Sequence, residues 1–198
     1  MRKFDRKKPV SISIDSNNNV KSYSTVKQKL REELLFQTQY HCSFCDLLFD
    51  YKILAGFKPE IEHFKPQNLF PYLAKNWGNM FISCRLCNEA KGSKYEDIYD
   101  QYKPDLDEYL FENHFEINSE TFDIKPRYDG KSETEISNAG KFIDWFGLNE
   151  TERRTARLRV FKEIKNRANE EFYLDDLSYR FVFEYFNTFI KNYCPNIQ

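Results

Sequence analysis

Two short stretches, Cys42-Ser-Phe-Cys45 and Cys84-Arg-Leu-Cys87, bracket a segment that reads Glu60-Ile-Glu62-His63-Phe64-Lys65-Pro66 and then Asn76-Trp-Gly-Asn79-Met-Phe-Ile-Ser83. With five cysteines in 198 residues, chance supplies about 0.1 such pairs, so two at the same spacing point to a shared partner. Two residues between thiolates let a tight turn aim both sulfurs at one point about 2.3 Å away, and two turns complete a tetrahedron around Zn²⁺. The sequence therefore predicts a structural zinc site built from Cys42, Cys45, Cys84 and Cys87. Four thiolates leave no open position, so this metal is expected to hold the fold rather than do chemistry. The alternatives are a disulfide, which needs an oxidising compartment, and a redox pair, for which one copy suffices. Cys194 stands apart and reads as an ordinary thiol.

Between the two pairs the pattern is strand, loop, strand, zinc turn, short helix. Ile61 and Phe64 suit the first strand, and Met80, Phe81 and Ile82 the second. Pro66 ends the first because it cannot donate to a ladder. The second knuckle runs into Asn88-Glu-Ala-Lys91-Gly92, so a metal held by both pairs would tie the approach to the hairpin to the start of the helix.

Glu62-His63, Asn79 and Asn88, set between the cysteine pairs and closed by Cys-Asn-x-x-Lys-Gly, resemble the HNH endonucleases, whose fold is the ββα-metal motif. That resemblance implies an α+β fold with a zinc-stapled core, flanked by an N-terminal helix and a C-terminal helical region. It implies His63 as general base, Glu62 as a ligand of a catalytic Mg²⁺ or Mn²⁺, and Asn79 as the brace that orients the histidine. Asn88 would help hold the catalytic metal, and Lys91 would face a phosphate. Each residue also has a plainer reading: His63 in a core, Glu62 as a surface carboxylate, Asn79 as a turn former after Gly78, Asn88 as a helix cap. His41 and His114 carry no supporting motif and read as structural. The flanks Phe70-Pro-Tyr-Leu-Ala74, Trp77-Gly-Asn79 and Phe146-Gly-Leu-Asn149, with the arginines at 153, 154, 157 and 159, look like the HNH nucleases of bacterial Septu anti-phage systems (the PtuB type) and their retron-associated relatives. This implies DNA hydrolysis beside an ABC-type ATPase (PtuA type) in phage defence. An RNA (tRNA) nuclease of a retron system and a catalytically silent zinc-stabilised adaptor remain the alternatives.

Outside this segment, the chain divides into a basic arm (1–23), a core (24–130) and a helical region (131–198). Ser24 is expected to cap a helix reaching Tyr40, with Val26, Leu30 and Leu34 on one face. The stretch 96–130 reads as largely irregular, with a strand or two. Phe142, Trp145, Phe146 and Leu148 form an apolar stripe that Gly147 should stop. Asn149 is expected to cap a further helix, with Leu158, Phe161 and Ile164 on one face. A last apolar helix is expected from Leu174 to Tyr193.

The formal net charge is −1, which excludes attraction of the whole molecule to nucleic acid and requires a local patch or a partner. Residues 1–31 carry nine Lys/Arg against Asp5 and Asp15, whereas 96–123 carry ten acids against Lys103. Such blocks read either as solvated faces or as an arm that meets phosphates while the acids face elsewhere. The stretch from Met1 to Pro9 lacks the apolar core of a secretion signal, and no run approaches a membrane span, so a cytoplasmic bacterial location is expected.

Overall fold

The computed structural model describes residues 2–49 and 59–166, with side chains up to residue 162. The helix expected at Leu174–Tyr193, Cys194 and the side chain of Ile164 lie outside the described residues. A helix, α1 (Lys27–Gln37), precedes a hairpin of β1 (Glu60–His63) and β2 (Met80–Ser83), and α2 (Arg85–Lys91) follows directly. The strands are antiparallel, with Glu60 opposite Ser83, Glu62 opposite Phe81 and His63 opposite Met80. All four β2 residues are buried, which is why Met-Phe-Ile-Ser carries no alternation. A 3₁₀ segment (Asp97–Tyr102), a short helix α3 (Phe111–His114) and a second hairpin of β3 (Phe115–Ile117) and β4 (Ile124–Pro126) fill the acidic stretch. That stretch is thus more ordered, and more helical, than its composition suggests. Two helices end the described chain, α4 (Glu133–Trp145) and α5 (Thr151–Asn166).

Aromatic side chains join these pieces. Phe44 stacks on Phe146 at 4.3 Å, Tyr99 stacks on Trp145 at 4.0 Å, and Phe64 meets Trp145 edge-on at 5.7 Å. Rings burying so much area per residue let short elements share one core, which accounts for the heavy Phe and Tyr content. The apolar stripe of α4 is buried as its periodicity predicts, and Ser132 with Glu135 forms a capping box at its start. Gly147 adopts φ +56°, and a Cβ there would stand 3.3 Å from Ala90 Cβ in α2, so both backbone and space require glycine.

Three expectations are corrected. Residue Ser24 does not cap α1. A turn at Ser22, whose carbonyl accepts from Thr25 and Val26 N–H, delays the helix to Lys27, and left-handed Gln39 and Tyr40 stop it before the expected end. Asn149 caps nothing: its amide accepts from Ile124 N–H at 2.8 Å and donates to Ile124 C=O at 2.7 Å, pinning β4. The basic arm does not stand away from the acidic stretch either. Arg6 pairs with Asp105, donates to Trp77 C=O at 3.0 Å and lies over the Phe4, Trp77 and Phe81 rings, while Lys3 donates to Asp107 C=O. Part of the two charge blocks is therefore spent on each other.

Candidate functional site: a four-sulfur clamp under a histidine hairpin

Cys42 and Cys45 lie in a tight turn in which Asp46 N–H reaches Cys42 C=O at 2.9 Å and Asp46 takes φ +60°. Ser43 N–H donates to Ile82 C=O at 2.9 Å, so the turn is tied to β2. Cys84 immediately precedes α2 and Cys87 lies in its first turn, with Cys84 N–H donating to Cys42 Sγ at 3.3 Å. All four sulfurs lie within 4.8 Å of one another and are buried, and none is in a disulfide. Cys45 and Cys84 are 3.7 Å apart, close to the ~3.8 Å edge of a tetrahedron with 2.3 Å zinc–sulfur bonds. The donor set and its spacing fit zinc. Burial pushes the Cys87 thiol up, and a bound cation would favour its thiolate form. His41 lies beside this cluster but is not part of it; its Nδ1 faces Gln39 C=O at 2.5 Å. His114 packs among Tyr102, Tyr109 and Phe115.

Strand alternation places Glu60 and Glu62 on the side of β1 that meets α2. Asn88 Nδ2 donates to Glu60 Oε2 at 2.5 Å, and one turn later Lys91 Nζ donates to Glu62 Oε1 at 2.5 Å. Lys91, expected at a phosphate, is fully buried and its charge is matched to Glu62. Burial raises the Glu62 pKa, Lys91 opposing it, and burial lowers the Lys91 pKa, Glu62 opposing it. Each charge makes the other tolerable.

His63, one residue on, turns instead to the loop between the strands. Its Nε2 lies 3.0 Å from Ala74 C=O, and the Gln67 amide nitrogen approaches Nδ1 and Nε2 at 3.0 and 2.8 Å. Because a carbonyl only accepts, Nε2 carries the proton and Nδ1 is left basic. Burial lowers the His63 pKa below its ordinary value near 6.5, so the ring is neutral at pH 7. Asn79 holds the loop that supplies Ala74. Its Oδ1 accepts from Lys65 N–H at 2.8 Å, and its Nδ2 donates to Lys65 C=O at 3.0 Å and Leu73 C=O at 3.3 Å.

The structure thus brings the predicted residues together as two adjoining groups, Glu62 with Asn88 and Lys91 on one side of β1, His63 with Asn79's loop at its end. Sequence reasoning missed Glu60 as a partner of Asn88, although its place two residues before Glu62 on one strand puts it on the same face. Gln67 and the Ala74 carbonyl left no sequence signal, since any loop supplies amides and carbonyls.

No family model matches the chain. Septu protein PtuB of Bacillus thuringiensis is 35% identical to it over 75 residues, a stretch that makes up 36% of this chain and 28% of that protein. The match therefore spans little more than a quarter of the curated relative. Over that stretch the chain is similar to Septu PtuB.

Proposed function

We propose that this protein is a metal-dependent endonuclease of the HNH kind that hydrolyses phosphodiester bonds in DNA, and that it serves as the nuclease of a bacterial anti-phage system beside an ABC-type ATPase. The observation that carries the reading is a neutral histidine, fixed through Nε2 by a backbone carbonyl, one residue from a buried carboxylate. The likeness to Septu PtuB supports the defence role, and the ATPase partner is what the resemblance of the flanking motifs to Septu nucleases implies.

In this reading β1, β2 and α2 are the ββα-metal unit. Nδ1 of His63 takes a proton from the attacking water, and the Nε2–H bond to Ala74 C=O keeps the tautomer that leaves Nδ1 free to do so. Gln67 is exposed at the loop surface, so its amide can give way to that water. Glu62 and Asn88, with Glu60 beside them, would hold the catalytic divalent ion. Two carboxylates and an amide oxygen are hard ligands that suit Mg²⁺ or Mn²⁺. When bound, the ion supplies counter-charge for the leaving oxygen. Lys91 holds Glu62 in its ionised form rather than touching phosphate, and its ammonium weakens any cation bound next to it. A positioned base contributes about 10²–10⁴ in rate.

The test is cleavage of plasmid DNA and of tRNA, in parallel, with Mg²⁺, with Mn²⁺ and with chelator, with and without a PtuA-type ATPase. Cation-dependent scission of the plasmid is expected. Cleavage of tRNA alone would move the substrate to RNA, and no cleavage of either under any condition would leave a silent adaptor.

A further inference from the structure

Three of the four arginines of α5 meet different fates. Arg154 pairs with Asp123, and Arg157 donates to Phe122 C=O, Leu148 C=O and Asn149 Oδ1, so both are accounted for by the hairpin and turn they hold. Arg153 is different. It is 2% exposed, Nη1 donates to Phe146 C=O, and its buried Nε has no hydrogen-bond acceptor. Among the described residues no carboxylate pairs with it. A guanidinium buried without a counter-anion is costly, and so is the opposite case, a closed site of four thiolates around Zn²⁺, which carries two net negative charges in the interior.

Their neighbours meet at one place. Phe146, whose carbonyl takes the Arg153 proton donor, stacks on Phe44 inside the first knuckle at 4.3 Å, and Gly147 closes onto Ala90 in the helix that carries Cys87. We propose that Arg153 is the counter-cation of the four-sulfur centre, so that zinc bound there fastens the start of α5 as well as the two knuckles and the hairpin. Burial works to strip the guanidinium of its proton, the Cys87, Cys45, Cys84 and Cys42 sulfurs work the other way, and the net shift is upward. No sulfur accepts a hydrogen bond from Nε, so the coupling is one of charge, of the outer-shell kind. The metal centre then reaches from residue 42 to residue 153 and locks the C-terminal part of the described chain to the site that carries His63.

This rests on the zinc reading, and the experiment keeps the two apart. Zinc affinity is measured by competition with a chromophoric chelator for wild type, Arg153→Gln and Arg153→Lys, and amide hydrogen exchange is followed with and without zinc. The wild type is expected to bind one zinc. Arg153→Gln, which can still donate to Phe146, is expected to bind it about 10–100-fold more weakly, and Arg153→Lys to stay within a few-fold of wild type. Equal affinity in Arg153→Gln and wild type would overturn the proposal while leaving the zinc site intact, whereas no zinc binding by wild type would remove the zinc reading itself. Should neither variant fold, the wild type decides. Loss of protection at residues 151–158 on zinc removal supports the coupling, and unchanged protection there overturns it.

Discussion

Replacing Asn79 tests whether the loop that carries Ala74 is held as the structure indicates. The side chain is buried and makes three hydrogen bonds, two of them at 2.8 and 3.0 Å and a longer one at 3.3 Å. A net contribution of about 1 kcal/mol for each short bond, with less for the long one, gives a loss of about 2–3 kcal/mol for Asn79→Ala. Asn79→Asp is the sharper variant. It keeps the acceptor for Lys65 N–H but turns the donor edge, which faces Lys65 C=O and Leu73 C=O, into a second acceptor. Asp is therefore expected to be at least as destabilising as Ala despite its near-identical shape. Its carboxyl is raised above the unfolded value, so the deficit is fully present above the folded pKa and disappears below the unfolded one. The assay is urea unfolding of zinc-loaded protein followed by tryptophan fluorescence, with stability taken from the midpoint at constant m. Since Ala74 orients His63, kcat/KM for cleavage should fall tenfold or more with zinc content unchanged. A loss under about 0.5 kcal/mol in Asn79→Ala, or wild-type stability in Asn79→Asp, would refute the bracing role.

Zinc removal should loosen the hairpin and both knuckles, since binding energy at a four-thiolate site is folding energy of about 10 kcal/mol or more; identical near-UV circular dichroism in a verified metal-free sample would contradict this. Lys91→Met leaves Glu62 buried without its cation and should cost about 3 kcal/mol at pH 7, a deficit that shrinks as the pH falls and Glu62 takes up a proton; calorimetry over pH 4–8 measures it, and a pH-independent loss would count against the ion pair. The acid limb of kcat/KM should have its midpoint below 6.5, because burial depresses the His63 pKa. The same shift destabilises the fold as the pH drops, since the unfolded chain takes the proton first. A limb centred above pH 7 would be inconsistent with the buried neutral ring.

What the sequence made legible was whatever depends on near neighbours. Spacing within each cysteine pair fixes a turn, Ile61 and Pro66 mark β1, and the stripe around Gly147 marks α4, because each involves residues a few positions apart. What it hid depends on partners brought from afar. Asn149 looks like a helix cap from its local sequence, yet its amide is occupied by Ile124 on a strand placed there only by the fold. Charged residues misled most. Lys91 and Arg6 read as phosphate-facing cations, yet Lys91 is buried against Glu62, 29 positions away, and Arg6 is largely covered against Asp105, 99 positions away. Hydropathy assigns a charge to water unless a counter-charge is known, and only the assembled structure supplies one.

The most direct measurement is the rate of cation-dependent plasmid cleavage by wild type and by His63→Ala, both carrying one zinc per chain. The account predicts scission by the wild type and a loss of at least about 10²-fold in the variant, with the same thermal unfolding temperature within a few degrees. Undiminished cleavage by His63→Ala would contradict it.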